Sequence, residues 1–421
     1  IWEPGTTKKC SLCGLEGITK TAHMKGACRK AEVQVVPAPV KKWKKILPFN
    51  PNSRDQLLAY VLHVGHRPGE NLRNGRVSLN KKWLQEQSRK YGETHPIYPS
   101  ILRLRGVTKT LTVYVEGFTP DGSGKIYATY SNAPSTWRLS QHDVNLQNVS
   151  HRGNVLFAEE VRKTIIPPPG RAFVEADSSA IEAVNTGYFM GSEEYVLRAK
   201  KGIHDFMNCF EHGVEFNDEN IKKSKTEWKD DRDRHKQGVH GTSYGMGYRL
   251  LHKTYPESFK TQGEAKRWQE AFFAACRGLS DWHFKVRTEA HKKTYLTTPW
   301  GYRHYYYDVF KRGKDGKPVL GEDAKRCVAF KPQNSAAAFQ RDNAIRIAER
   351  VPKDWIPANF LIHDSYCLVP PVDKIEEAVS ILVEILTRPV PELGGIRIGC
   401  EVKVGRSNWA EMEVVRVEKA L

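Results

Sequence analysis

Three short stretches carry residues whose types and spacing could do chemistry. In DRDRHKQGVHGTSYG, Arg232, Lys236, His240 and Tyr244 recur every four residues. Four-residue steps along a helix drift by only ~40°, so all four share one face. Two cations one turn apart can grip a multiply charged phosphate, and an imidazole and a phenol further along can stack on a base and a sugar. Gly238 and Gly241 each cost ~1 kcal/mol against Ala in a helix. That cost makes sense where something flat must approach the backbone closely. In FVEADSSAIE, Asp177 stands at the end of an apolar run, where the chain turns towards a helix, and Glu182 falls on the first helical turns. A carboxylate so placed is costly unless a cation or metal pairs with it, although a plain helix N-cap is the ordinary use of such an Asp. In LIHDSY, Asp364 sits between two apolar halves, where turn chemistry alone could also explain it. Taken together, two sheet-borne aspartates near one another could hold two divalent metals about 4 Å apart. Oxygen-only ligation suits Mg²⁺. With a basic helix for the phosphates, this is a phosphoryl-transfer site built by positioning and charge.

The flanking sequence must supply elements that hold these groups. Asn-Pro and Asn-Ser turn chemistry in FNPNSRDQLLAYVLHV precedes a helical period through Leu57, Leu58, Val61 and Leu62. Residues 78–116 read as two further helices, with THPIYPS as a loop, and KIYATYSN (125–132) reads as a strand. A Pro-Gly turn leads into a buried strand, Ala172 to Ala176, and a helix starts near Ser179. Residues 202–295 are charged and helical. TTPWGYRHYYYD reads as a turn and an aromatic strand or hairpin, and 323–350 as a long helix interrupted near Lys331-Pro332. ANFLIHDSYCLVPP reads as a hairpin with an acidic tip, followed by a helix (373–388) and a closing strand, GCEVKVG. This order predicts an α+β fold with a discontinuous sheet.

Composition narrows the class of partner. The 421 residues carry a net charge of +18, which favours a polyanion, with nucleic acid the commonest. No apolar run approaches the ~18 residues of a membrane span, and no signal peptide is visible. The chain begins with Ile1 rather than Met, as expected of a piece of something longer. Cys209, Cys276, Cys327, Cys367 and Cys400 are isolated and read as free thiols of a reducing compartment. Residues 1–48 differ: Cys10, Cys13, His23 and Cys28 are spaced as a zinc knuckle, and VPAP reads as an extended linker to the basic patch KKWKK. A fold this small could not form without its metal.

The ordered motifs resemble the family A DNA polymerases, of the bacterial polymerase I and phage replicative type, from about Phe49 to the C-terminus. FNPNSRDQL resembles that family's entry to the thumb and WRLSQHDVNLQN (137–148) its primer-template segment. FVEADSSAIE matches motif A, RDRHKQGVHGTSYG motif B and LIHDSY motif C. GIHDF (202–206) resembles the histidine segment that opens the fingers, and PQNSAAA (332–338) the palm helix. The resemblance implies a right-hand polymerase fold with an antiparallel palm sheet; the Cys/His spacing adds a small N-terminal module before it. The implied domains are a zinc-binding module and linker at 1–45, thumb at 46–130, palm at 131–201 and 316–421, and fingers at 202–315.

It further implies a template-directed DNA polymerase that extends a primer by two-metal nucleotidyl transfer, using two Mg²⁺ ions; one structural Zn²⁺ is expected from the Cys/His spacing alone. Asp177 and Asp364 would hold the Mg²⁺ pair. Arg232, Lys236 and His204 would grip the triphosphate, with Lys236 as acid for the leaving group. Glu182 would exclude a 2′-hydroxyl, His240 would face the sugar and Tyr244 would stack near the templating position. Arg138, Asn145, Gln147, Gln333 and His363 would touch primer or template, and the glycines of motif B would let the base pair lie close. Cys10, Cys13, His23 and Cys28 would bind the Zn²⁺. The implied partners are primer-template DNA, deoxynucleoside triphosphates and a replisome protein at the N-terminal module, without a membrane. The protein would be a cytoplasmic monomer, in the host cytoplasm if phage-encoded.

The sequence departs from the family at Ser178, Ala180 and Ala183-Val184 of motif A, at His240 where Phe or Tyr is usual, and at Ser365 where motif C usually has Glu. Only 48 residues precede the thumb, so no proofreading exonuclease is expected in this chain. A single-subunit RNA polymerase shares the three motifs in outline, but Glu182 and the 137–148 segment argue against it. A silent polymerase fold serving as a binding subunit would have no need of Asp177, Asp364, Arg232 and Lys236 together.

Overall fold

A computed structural model describes residues 49–69, 77–131, 137–149, 157–313, 315–355 and 364–419, and the backbone of 2–10, 33–41 and 361–362. The chain divides into two compact units, Ile1–Leu104 and Arg105–Leu421.

In the first unit β1 (Trp2–Cys10) pairs antiparallel with β2 (Val33–Lys41), in register from Trp2↔Lys41 to Cys10↔Val33. The VPAP run is therefore a strand and not the extended linker that its prolines predict. Pro4 faces Pro39, and Pro37 lies two residues from Pro39. All three thus occupy the alternate positions that donate nothing across the ladder, the only ones a proline tolerates. Helix α1 (Arg54–His63) starts at Ser53, whose hydroxyl accepts from the Gln56 amide, and α2 (Lys81–Tyr91) starts at Asn80, whose side chain caps the Trp83 amide. Helix α3 (Ile97–Thr110) takes in the IYPS half of the loop expected at THPIYPS, while Thr94-His95-Pro96 stay outside it. Pro99 falls in its first turn, where the amide it lacks would have had no helical partner. Leu57, Val61, Trp83, Leu84, Tyr98 and Ile101 form this unit's core.

In the second unit, a π-helical turn (Leu111–Val115) leads to the short pair β3 (Thr129–Ser131) and β4 (Ser140–His142), then to α4 (Ala158–Lys163). The strand read at 125–132 thus shrinks to three residues. Strand β5 (Phe173–Ser179) follows, then α5 (Ile181–Met190), α6 (Glu193–Glu211), α7 (Asp218–Thr226), α8 (Lys229–Ser243), α9 (Tyr248–Thr254), α10 (Gln262–Ala275) and α11 (Leu279–Lys293). Two hairpins come next, β6 (Tyr295–Thr297) with β7 (Arg303–Tyr305), and β8 (Phe310–Arg312) with β9 (Pro318–Leu320).

Helix α12 (Asp323–Arg350) runs unbroken through Pro332, contrary to the expected interruption. Asn185 of α5 donates to the Pro332 carbonyl at 3.0 Å, in a buried contact that ties the two helices together there. The acidic-tipped hairpin forms as expected from β10 (Leu361–Ile362) and β11 (Ser365–Leu368). Helix α13 (Ile375–Leu386), the short pair β12 (Pro389–Val390) and β13 (Ile396–Arg397), β14 (Gly399–Gly405) and an edge strand that the sequence did not reveal, β15 (Glu413–Glu418), complete the chain.

The main sheet is antiparallel throughout, in the order β10-β11-β5-β14-β15. Alternation along β5 gives it two unlike faces. Val174 and Ala176 join Tyr366, Leu382 and Val402 in a buried core under α13, while Glu175 and Asp177 point the other way. A second core gathers Tyr195, Trp268, Phe272, Trp282 and Phe330 among α6, α10, α11 and α12. Cys209, Cys276, Cys327, Cys367 and Cys400 are buried free thiols, as read from their isolation. Among the described residues no helix is long and apolar enough to cross a membrane.

Candidate active site

The strand register brings the two aspartates together. Ser365 of β11 lies opposite Asp177, Glu401 of β14 flanks Asp177 from the other side, and the Ser178 amide donates to the Asp364 carbonyl at 3.2 Å. Burial first, and then repulsion from Asp364, push the Asp177 carboxyl far above the usual carboxylate range; Lys403 opposes this only in part, being paired with Glu401 at 2.8 Å. Two acids held side by side form a pair of oxygen donors. Being all oxygen, the set fits a hard divalent ion. Ser365, where the resembled family has Glu, is buried and offers no charge. Glu401 is the acid the sequence reading missed, although the alternation in GCEVKVG puts it on the acidic face.

Beyond Asp177 the chain takes a left-handed step at Ala180 (φ 52°), conformationally costly for a residue with a Cβ, and enters α5 with Glu182 in its first turn. Glu182 accepts from the Arg138 guanidinium and from the Tyr244 hydroxyl, and its Oε2 lies 3.9 Å from His240 Nδ1. Burial and the Glu182 charge drive the Tyr244 hydroxyl well above its ordinary pKa, so it is a donor at every ordinary pH. The His240 and Tyr244 rings meet edge to face at 4.9 Å. Arg138 and Glu182, from two other segments, thus join His240 and Tyr244 in one cluster, with His240 its most exposed member.

The phosphate-binding candidates form a third group. Arg232 Nε donates to Asp205 Oδ1 at 2.5 Å and its Nη2 to Oδ2 at 3.3 Å; Asp205, 1 % exposed, also accepts from Ser224 Oγ at 2.8 Å. This anchor depends on Gly202, which breaks α6 with φ 124°; a Cβ there would stand 2.5 Å from Asp205 Oδ2. The signal was present in GIHDF, where Asp205 adjoins His204, but only the histidine drew attention. Lys236 Nζ donates to Asp233 Oδ1 at 2.5 Å, one turn back on α8. Burial, then the nearby Arg232, lower the His204 pKa to about 4, so the ring is neutral. Its Nδ1 is buried without a hydrogen-bond partner among the described residues.

The glycines of α8 have another cause than the one predicted. A Cβ on Gly238 would lie 2.4–2.6 Å from the Trp268 ring, and one on Gly241 3.1 Å from Met246 Sδ. Both therefore admit neighbouring side chains of the protein, on the buried face of the helix and not on the face of Arg232 and Lys236. Trp268 is held in turn: its Nε1 donates to His235 Nδ1 at 2.9 Å. An indole N–H can only donate, so the His235 proton sits on Nε2, 3.0 Å from Glu211 Oε2. That close contact, helped by Arg234, holds the Glu211 carboxyl below its usual range. Helix α8 is thereby fixed to α6 and α10.

Of the expected nucleic-acid contacts, Asn145 and Gln147 make hydrogen bonds within their own loop. The Asn145 carbonyl oxygen caps the Asn148 amide and its Nδ2 donates to the Gln141 carbonyl, while Gln147 Nε2 donates to the Leu139 carbonyl. Arg138 is engaged by Glu182, and Gln333 is half-buried on α12. His363, Cys13, His23, Cys28 and residues 42–45 of the basic patch lie outside the described residues, as does the side chain of Cys10. Among the described residues no group of three or more His, Cys, Asp or Glu is arranged to hold a metal.

Comparison with known proteins follows this geometry. Residues 25–411 match the profile of DNA polymerase family A. The thermostable DNA polymerase I of Thermus thermophilus is 27% identical over 369 residues, covering 85% of this chain and 41% of that protein. DNA polymerase I of Chloroflexus aurantiacus is 25% identical over 382 residues, covering 87% of this chain and 38% of that protein. The chain thus spans about two-fifths of the length of these bacterial relatives. Among solved structures, the POL domain of Pol1 from M. smegmatis, in complex with DNA primer-template and dNTP, superposes with a TM-score of 0.71 at 22% identity. The match covers 86% of this chain and 61% of that one, a likeness of fold.

Proposed function

Because the chain belongs to DNA polymerase family A, we propose that it is a template-directed DNA polymerase that adds deoxynucleotides to a primer 3′ end. The observation that carries this reading is the juxtaposition of Asp177 on β5 with Asp364 at the tip of the β10–β11 hairpin, where Ser365 faces Asp177 and the Ser178 amide meets the Asp364 carbonyl. Asp177 and Asp364 would hold two Mg²⁺ ions, which when bound activate the primer hydroxyl and neutralise the leaving pyrophosphate. Arg232, fixed by Asp205, presents its guanidinium to the triphosphate. Lys236 leaves Asp233 for the phosphates and supplies the leaving group's proton. The neutral His204, with a buried ring nitrogen unpartnered among the described residues, completes the phosphate cradle.

Glu182 closes the pocket against a 2′-hydroxyl. Tyr244, held by Glu182, forms a floor near the templating base, and His240 faces the sugar. Primer-template DNA and dNTP, the ligands of the M. smegmatis structure, are the partners this reading assigns, through Arg138, Asn145, Gln147, Gln333 and His363. In domain terms residues 46–130 act as thumb, 131–201 and 316–421 as palm and 202–315 as fingers. Residues 1–45 would be a module in which Cys10, Cys13, His23 and Cys28 hold one structural Zn²⁺ and a replisome protein docks. Metal analysis of the purified chain showing no zinc would remove that assignment.

Extension of a labelled primer on a longer template, with deoxy- or ribonucleotides, tests the reading. Deoxynucleotides alone should be incorporated by the wild type, and Glu182→Ala should admit ribonucleotides. Efficient ribonucleotide use by the wild type would instead favour an RNA polymerase. A mismatched primer end should persist, because no excision activity is assigned to this chain.

A further inference from the structure

The aromatic segment around Tyr305 takes no part in the site described above. Strand β7 pairs with β6 so that Tyr305 faces Tyr295 and Arg303 faces Thr297. Alternation then places Tyr295, Arg303 and Tyr305 on one side of the hairpin. Burial follows the same rhythm: Tyr306 is 2% exposed in the core, Tyr305 is 50% exposed and Tyr307 81%. The two outward rings are parallel within 9°, with centroids 6.5 Å apart. That is close to twice the ~3.4 Å rise between stacked bases. The Arg303 guanidinium lies 4.3 Å over the Tyr295 ring, which itself sits 5.9 Å from Tyr305.

The platform is fixed from behind. The Tyr306 amide donates to the Thr294 carbonyl at 2.8 Å, and the Tyr307 amide to Asp323 Oδ2 at 3.0 Å. Exposed tyrosines on so rigid a backbone leave an apolar patch in water without any gain to the core. The chain's excess positive charge, and the exposed Lys311 and Arg312 that follow, select an anionic partner.

We propose that Tyr305 and Tyr307 form a stacking clamp for an unpaired nucleic-acid strand: one base enters between the parallel rings, and Arg303 with Lys311 and Arg312 meets the phosphates on either side. Aromatic stacking is tolerant of sequence, so the clamp takes any single strand and has no use for a duplex, whose bases are already stacked. The surface lies outside the Asp177 site, and its occupancy requires neither metal nor nucleotide.

The test is therefore a binding measurement in EDTA. A fluorescein-labelled oligothymidylate is titrated with the full chain, with Tyr305→Ala/Tyr307→Ala and with Tyr305→Phe/Tyr307→Phe, and anisotropy is read. The alanine pair should bind about tenfold more weakly or worse, the scale of one lost base stack, while the phenylalanine pair stays within about twofold. Photocrosslinking with an iododeoxyuridine-substituted strand should label the peptide containing Tyr305 and Tyr307. Equal binding by the alanine pair, equal loss in the phenylalanine pair, or crosslinks confined to other peptides would each overturn the proposal. Extension of a primer whose template overhangs by one nucleotide should be unchanged in the alanine pair. Its loss would assign these tyrosines to the catalytic machinery and end the case for a separate clamp.

Discussion

Gly238→Ala separates two explanations of the glycine in α8. If the glycine served only to let a nucleotide approach, the free protein would gain about 1 kcal/mol from the better helix former. The structure predicts the reverse. The new methyl would meet three carbons of the Trp268 ring at 2.4–2.6 Å, against a carbon–carbon optimum of about 3.5–4.0 Å, so the indole must retreat by roughly 1 Å. It has nowhere to go. Trp268 is 5% exposed, lies parallel to Phe272 at 5.5 Å, meets Phe259 edge-on at 5.5 Å and is pinned through Nε1 to His235. Overpacking costs about 1–3 kcal/mol, and a strained Trp268–His235 bond adds about 1 kcal/mol. After the helix gain is subtracted, the variant should be about 1–3 kcal/mol less stable. Urea denaturation followed by circular dichroism, without DNA or nucleotide, reads this as a lower midpoint. Adding Trp268→Phe should recover part of the loss, as expected of two residues in contact. A Gly238→Ala chain more stable than the wild type would refute the packing argument.

Three other outcomes follow from the same contacts. Asp205→Asn removes the charge that anchors Arg232 in a nearly buried pair; it should cost about 3 kcal/mol of stability and raise the KM for nucleotide, and unchanged values of both would dismiss the anchor. His240→Phe replaces a weakly stacking, hydrogen-bonding ring beside Glu182 and should change the preference between 3′-hydroxyl and 3′-deoxy nucleotides; identical preference in both chains would remove His240 from the sugar site. His283 is held neutral by burial, its pKa lowered from 6.5 to about 4, while its Nε2 donates to the Ser243 carbonyl at 2.9 Å. Its contribution is therefore fully present above pH 6.5 and lost as the pH falls towards 4, worth about 3 kcal/mol across that window. His283→Gln should flatten the acid limb of stability against pH, and parallel limbs in variant and wild type would count against it.

The acidic face was legible because its signals are local. The alternation of FVEAD and the symmetric apolar halves around His363-Asp364 each fix a strand whichever partner it finds, and both strands formed. The cluster at Glu182 was legible only as separate parts: Arg138, Glu182 and Tyr244 are distant in sequence, and no spacing rule joins them. Where the reading failed, one residue type had two physical uses. Proline in VPAP suits a linker and also the non-donating positions of a ladder, and Pro99 suits a loop and also a first helical turn. Glycine in α8 suits a ligand and also a tryptophan, and Trp268, thirty residues along the chain, decided which. Asp205 adjoins His204 in GIHDF, but its partner Arg232 lies 27 residues on, and the break at Gly202 that makes room for its carboxylate shows only in the fold.

The proposed nucleotidyl transfer rests on the carboxylates of Asp177 and Asp364. Primer extension with deoxynucleotides and Mg²⁺, wild type beside Asp364→Ala, tests it most directly, with primer-template binding measured on the same preparations. Extension is expected of the wild type only, with DNA binding retained by both. Extension that survives in Asp364→Ala, or a wild type that binds primer-template tightly yet never extends it, would remove these carboxylates from the reaction.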